Sequence, residues 1–474
     1  MAGEMLSPTP QESKRNRLKP HIMVFPYPAQ GHLLPILDLT HQLCLHGNVT
    51  VSIIVTPKNL PHLSPLLSAH PSAVSAVTLP LPHSPSGVEN VKDLGCTPYI
   101  MASLRQLREP IIKWLSSHQN PPVALISDFF LGWTNDLGVP RFAFFSSGAF
   151  FASLVHYVSD KRHLYDQTEP VCISDLPRSP VFKTEHLPLT PQSPLSRDVN
   201  IVRDMTMNFS SHGCIFNSCN CLEEEYMEYL KLKVGHNRVF GVGPVSSVGL
   251  GKGKSELNVD VKALFSWLDG CPDGSVLYIC FGSQKVLTKG QCDALALGLE
   301  KSLTRFFWVA KTDPIPDGFE DRVAGRGMIV RGWAPQVAVL SHVAVGGFLS
   351  HCGWNSVLEA RPCLTFLKLE AARPWLEAVA SGTMILAWPM EADQFVDAKL
   401  LVEYTGVAVS VCEGGKTVPN PHELGRVIAE TMGEQGRELR VRAKEMGKKA
   451  LAATEVRGSS TIDLERLVKE LGSL

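Results

Sequence analysis

The chain contains no run of 18 apolar residues, so nothing in it reads as a membrane-spanning helix. Its first 20 residues, MAGEMLSPTPQESKRNRLKP, are polar and lack the apolar stretch of a secretory signal. Twelve cysteines are scattered without a single CxxC pair, the usage expected of reduced thiols in a cytoplasmic protein. Neither sign of charge dominates: 45 Lys and Arg against 46 Asp and Glu leave a net −1. No basic footprint therefore points to nucleic acid or to an anionic membrane. GxGxxG and GxxxxGK[ST] are both missing, which argues against a dinucleotide dehydrogenase and a P-loop NTPase. Asp-x-Asp, HExxH and Cys/His metal spacings are missing too, so no metal and no cofactor is expected.

What is present is a repeated alternation. Short β-rich runs such as HIMVFPY (His21–Tyr27), VTVSIIVTP, VALISD (Val123–Asp128) and RFAFFSS are separated by helical patterns. The stretch YIMASLRQLREPIIKWLSSH reads as one amphipathic helix. Such alternation predicts parallel sheets covered on both faces, and 474 residues are too many for one ordinary core. The Gly/Ser/Lys stretch GPVSSVGLGKGKSELN is the best linker. The expected organisation is α/β: a disordered segment 1–20, a doubly wound domain 21–244, a linker 245–259 and a second doubly wound domain 260–474. The closing helix is free to pack back on the first domain. Residues 165–197 are Pro-rich, irregular and too long for an ordinary connection, which suggests a functional loop.

Several groups could carry chemistry. In FPYPAQGHLLP a strand ends in Pro/Gly-rich backbone and His32 enters the next helix, placed either as a general base or as a cap of backbone. Asp128 ends another buried strand and could orient an imidazole. CFGSQ and SHCGWNS each run from strand through a Gly-containing turn into a helix, where free N–H groups favour phosphate. Ser283, Asn355 and Ser356 are residue types that donate or cap at such turns. Trp333 in GWAPQ suits either stacking on a base or a place in the core. Asp393 and Gln394 in EADQF suit hydroxyl groups or a plain helix cap.

Taken together, GWAPQVAVLSHVAVGGFLSHCGWNS, LAWPMEADQF, FGSQ and FPYPAQGHLLP resemble the plant family of UDP-dependent glycosyltransferases acting on small molecules. The resemblance covers the chain after about residue 20. It implies a GT-B fold, two Rossmann-like domains facing across a cleft, and inverting transfer of sugar from a UDP-sugar to an acceptor hydroxyl. It implies that Trp333 stacks on uracil, with Ala334 and Gln336 beside the nucleoside and Glu359 on the ribose. His351, Asn355, Ser356 and Ser283 would meet the diphosphate, and Trp354, Asp393 and Gln394 the sugar. His32 would be the base and Asp128 its partner. The terminal Gln394 favours UDP-glucose among UDP-sugars, and the first domain would line a pocket for a small phenolic acceptor of flavonoid or benzoate type. A monomer is expected.

The signature is interrupted. Trp333 to Gln394 spans 62 residues where the family box has 44, so 18 are extra. LEA occurs at Leu358–Ala360, Leu369–Ala371 and Leu376–Ala378, and removing Arg361–Ala378 restores an uninterrupted HCGWNSVLEAVASGTMILAWPMEADQF. Either Glu359 or Glu377 could be the ribose ligand; Glu359 keeps the helical spacing from Asn355. Pro362 and Pro374 oppose one continuous helix through the insert. A looped-out segment need not unfold a domain, because closure entropy grows slowly with length. The expectation is a surviving fold with impaired activity. The rival readings are a non-catalytic nucleotide-sugar or phenol-binding homologue and, from the doubly wound pattern alone, an NAD-dependent oxidoreductase.

Overall fold

The computed structural model describes residues 19–82, 87–191, 193–245, 261–282, 285–355 and 382–474. The N-terminal segment, most of the linker, Ser283, Ser356, Glu359, Glu377 and the whole of Arg361–Ala378 lie outside the described residues.

Fifteen strands are described: β1 His21–Phe25, β2 Thr50–Val55, β3 Val74–Thr78, β4 Ala124–Asp128, β5 Arg141–Phe145, β6 Val171–Cys172, β7 Val181–Phe182, β8 Gly213–Phe216, β9 Val239–Gly241, β10 Val276–Cys280, β11 Arg305–Val309, β12 Gly327–Val330, β13 Val345–Ser350, β14 Met384–Ala387 and β15 Ala408–Ser410. They form a seven-stranded sheet, β3-β2-β1-β4-β5-β8-β9, and a six-stranded sheet, β12-β11-β10-β13-β14-β15. Every pairing in both sheets is parallel. β1, β4, β5 and β10 have no exposed position, because helices cover both faces and no side chain has a solvated face to use.

The order of strands fixes where a site can form. In the first sheet the chain moves outward from β1 through β2 to β3, then returns to place β4 on the other side of β1. In the second, β11 and β13 flank β10 in the same manner. At such reversals the loops leaving the two central strands turn opposite ways and open a crevice. His32 follows β1 and Asp128 ends β4; Gly282 follows β10 and His351 follows β13.

Three elements depart from the sequence reading. The stretch after Tyr99 is two helices, Thr97–Arg105 and Arg108–Ser117, because Pro110 cannot sit inside a continuous helix. β3 and β15 are strands without a clear sequence signal; both lie at sheet edges, where β3 carries exposed Ser75 and Thr78 and β15 is only three residues long. The Pro-rich loop holds a small antiparallel pair, β6 with β7, between short 3₁₀ turns.

The two domains share a core at the back of the cleft. One apolar cluster runs from Phe150 and Tyr226 through Trp354 and Cys352 to Met384 and Leu400. The closing helix Ser459–Leu471 packs on the first domain, where Leu464, Leu467 and Leu471 join Ile22, Val24 and Ile53. Its Asp463 accepts the Gly241 N–H at 2.8 Å, and His212 pairs with Glu470 at 2.9 Å.

Buried histidines give the fold an acid-sensitive side. His41 Nδ1 lies 2.6 Å from His70 Nε2, so a single proton is shared between the two rings. Burial, His70 and His46 push the His41 pKa down to about 4. The unfolded chain takes up that proton near pH 6.5 and the folded chain only near 4, so this contribution to stability is complete above pH 6.5 and is lost as the pH falls towards 4. Thermal melts at pH 7.5 and 5.5 should show a smaller drop in Tm for His41→Gln than for the parent chain. Equal drops would assign the acid sensitivity elsewhere.

Candidate active site

The two crevices face each other across a cavity of about 860 Å³. On the first-domain side, His32 Nδ1 lies 2.9 Å from Asp128 Oδ2. Asp128 is completely buried, and its other oxygen accepts the Phe130 N–H at 2.9 Å, which fixes the carboxylate. A carboxylate only accepts, so Nδ1 carries the proton and Nε2 is left with a lone pair. Ser146 Oγ lies 3.1 Å from the same Nδ1. Phe129 stacks on the imidazole at 5.4 Å between centroids and Tyr27 meets its edge at 5.2 Å, so the ring has little freedom to turn. The geometry supplies the His32–Asp128 contact that a base with an orienting partner needs.

A buried arginine supports this pair from behind. Arg141 begins β5 and donates to Ser127 Oγ at 2.6 Å, Ser211 Oγ at 2.7 Å, Asn208 Oδ1 at 2.9 Å and the Asp128 carbonyl at 3.1 Å. Burial lowers its pKa to about 10, still far above neutrality, and the guanidinium adds positive potential near Asp128. Nothing in the sequence singled it out, since a strand-edge arginine usually faces water.

The second-domain wall brings together most of the residues named from the signature. Trp333, Ala334, Gln336, His351, Trp354, Asn355, Asp393 and Gln394 all line the cavity. Gln336 is held by the Tyr278 hydroxyl at 3.2 Å. His351 is half-buried with its ring against Gly282 and Gly353; a Cβ on either glycine would come within 2.7 Å of Nε2. Burial, with Lys311 and Lys285 nearby, pushes its pKa down to about 4, so the imidazole is neutral at pH 7. Gln394 Oε1 accepts the Met390 and Glu391 N–H groups at 3.0 and 3.1 Å, which shapes the turn that presents Asp393. Burial raises the Asp393 carboxyl; Ser147 and His32 pull it back. Ala392 in this turn and Cys352 beside His351 both hold positive φ, 57° and 62°, a strain that side-chain-bearing residues keep mainly at working sites.

Two signature residues also make protein contacts across the cleft. The Trp354 indole N–H donates to the Asn217 carbonyl at 2.7 Å, so the ring bridges the domains. Asn355 donates its amide to the Gly31 carbonyl, and among the described residues its Oδ1 has no partner.

The first-domain end of the cavity has an apolar slot. Phe129, Phe130, Phe151, Leu187, Leu189 and Met205 line the first-domain end. Two of these come from the Pro-rich loop, which is tied down by the Tyr165 hydroxyl on Pro188 O at 2.7 Å and by His186 stacked on Phe395 at 4.0 Å and 5°. The sequence marked the loop as functional, but which of its residues face inward depends on those tertiary ties.

Two facing doubly wound domains, with the His32–Asp128 pair at one switch point and the residues of the Trp333-to-Gln394 signature at the other, define the GT-B architecture. A family model described as "UDP-glucoronosyl and UDP-glucosyl transferase" matches residues 262–362, its end falling two residues into the extra stretch. UDP-glycosyltransferase 89A2 of Arabidopsis thaliana is 59% identical, the match covering 97% of this chain and 98% of that protein. Flavonol 3-O-glucosyltransferase UGT89B1 of the same plant is 43% identical, with 98% of each covered. The crystal structure of Arabidopsis thaliana UGT89C1 complexed with UDP-L-rhamnose superposes with a TM-score of 0.75 at 33% identity, covering 96% of this chain and 100% of that one. The chain belongs to the UDP-glucosyl and glucuronosyl transferase family, and it is an enzyme that transfers sugar from a UDP-sugar to a small acceptor.

Proposed function

We propose that the chain transfers glucose from UDP-glucose to a hydroxyl of a small phenolic acceptor, with inversion at the anomeric carbon. The His32–Asp128 pair, set at the junction of an aromatic slot and the nucleotide wall, carries this reading. A flat phenol in the slot places its hydroxyl against His32 Nε2, which takes the proton as the oxygen attacks the anomeric carbon. Asp128 holds the imidazolium that forms. Trp333 offers its face to uracil, His351 and the Gly282 turn take the diphosphate, and Asp393 with Gln394 takes the sugar hydroxyls. A phenol's reference pKa near ~10 makes it an easier oxygen to activate than an aliphatic alcohol. Two similar proteins support the phenolic class: one is named a flavonol glucosyltransferase, and the other, UGT89C1, was crystallised in complex with quercetin. The complex of UGT89C1 with UDP-L-rhamnose marks the rival donor.

The test is product analysis with UDP-glucose and UDP-L-rhamnose against a panel of flavonols and hydroxybenzoates. A β-glucoside of a phenol is the expected product; rhamnoside as the main product would reassign the donor. The same assay should be run on the chain lacking Arg361–Ala378. The extra residues separate Asn355 from Asp393 in sequence, and the donor contacts both halves, so the shortened chain is expected to turn over faster. Identical rates in the two chains would show that the extra stretch is without effect on catalysis.

A further inference from the structure

We propose that Lys285 and Lys311 bind the β-phosphate of the UDP-sugar directly and supply the positive charge that stabilises the departing diphosphate. This rests on the nucleotide-sugar reading of the cleft.

The reaction has a definite charge balance. The acceptor oxygen bonds to the anomeric carbon, and the bond from that carbon to the β-phosphate oxygen breaks with its electron pair going to the phosphate. The acceptor proton goes to His32. Negative charge therefore grows on the diphosphate in the transition state, and groups poised there are worth more in that state than before it. His351 in this wall has its pKa pushed down to about 4 by burial and by Lys311 and Lys285, so in the ligand-free site it is a neutral imidazole at pH 7 and the positive charge beside it resides on the two lysines.

Two ammonium groups stand beside it. Lys311 follows β11 and donates from Nζ to the Gly282 carbonyl, the glycine against which the His351 ring packs. Its backbone holds φ 43°, a conformation a lysine keeps only when something fixes it. Lys285 leaves the same turn after β10, with its Nζ near Gly415 in the loop beyond β15. Both line the cavity together with Gly282, His351 and Gly353, and both lie close enough to His351 to disfavour a proton on its ring. Asp313, whose Oδ1 accepts the Leu287 N–H at 2.9 Å, is a carboxylate within reach of the Lys311 charge. Asp393 and Glu391 also line the cavity. An anion entering between the Gly282 turn and His351 thus meets two cations from different strands.

The experiment uses the full chain and titrates UDP and uridine by calorimetry into the parent, Lys285→Gln, Lys311→Gln and Lys285→Arg. Each glutamine variant should bind UDP about tenfold more weakly with uridine affinity unchanged, and kcat should fall by about 10²-fold, more than the affinity does. Lys285→Arg should recover most of the loss. Unchanged UDP affinity and kcat in both glutamine variants would overturn the proposal. So would an equal loss of uridine affinity, which would mean that the lysines only shape the wall. Lys311→Gln could also disturb the Gly282 turn, and Lys285→Gln, outside that bond, keeps the test decisive. If the parent chain itself bound no UDP, the reading of the cleft would fall, a result separable from the two above.

Discussion

His32→Ala should lower kcat by roughly 10³-fold while leaving UDP affinity and Tm close to those of the parent chain. The prediction follows from the division of labour between the two walls. His32 Nδ1 is engaged by Asp128, its Nε2 is the free basic nitrogen at the aromatic slot, and its ring packs on Phe129 and Phe130 of the first domain. Removing it deletes proton acceptance and little else. The loss should shrink for acidic phenols, which are already partly ionised at neutral pH and need less help. Asp128→Ala should cost less in kcat but more in stability, because that carboxylate also caps the Phe130 N–H inside the first domain. A variant lacking His32 that kept a tenth or more of the parent turnover on a weakly acidic phenol would remove the base from this position.

The largest effect on stability is expected from a residue with no place in the chemistry. Glu223 is fully buried, and its carboxylate accepts Ala149 N–H at 2.9 Å, Phe150 N–H at 2.8 Å and Ser218 Oγ at 2.6 Å. It caps the helix Ala149–Val158 from another part of the chain, in place of the side chain that Gly148 lacks. A Cβ on residue 148 would lie 2.5 Å from Glu223 Oε1, so only glycine fits there. Burial raises the carboxyl, and the three donors pull it back. The loop it anchors carries Ser146 to His32 and Ser147 towards Asp393, and Ser218 adjoins the Asn217 carbonyl that holds Trp354. Glu223→Ala would strand three buried donors at about 1–3 kcal/mol each, a loss of roughly 3–5 kcal/mol after relaxation. At about 2–4 °C per kcal/mol for a domain of this size, Tm should drop by on the order of 10 °C. Glu223→Gln should fall between, and Gly148→Ala should destabilise by clashing with an intact carboxylate. A Tm for Glu223→Ala within about 2 °C of the parent would show that this hub is dispensable.

Glu223 also marks the limit of what the sequence could reveal. In NCLEEEYMEYL it is one of three consecutive glutamates at the start of a helix, and nothing local says that this one turns inward while Glu224 faces water. Its burial depends on Gly148, far away along the chain, and such pairings leave no periodic trace. Parallel strands buried on both faces do leave one, so the two sheets were legible, whereas the strand order and its reversals around β1 and β10 had to be seen in the structure. His32 and Asp128 were legible as strand-end residues, though not their contact. Trp354 and Asn355 were recognised by motif, but a motif records which residues recur and not which atoms are already occupied. The role of the tryptophan indole in joining domains had to be seen in three dimensions.

The closing helix has a consequence for motion. The chain passes from the first domain to the second between β9 and the helix Val261–Asp269, and it comes back through the short turn between the helices Arg437–Thr454 and Ser459–Leu471. A shared apolar seam from Phe150 through Trp354 to Met384 ties the halves together, and Leu464, Leu467 and Leu471 of the closing helix are embedded in the first domain, so pulling the two sheets apart would expose both sets to water and large relative movements carry that cost.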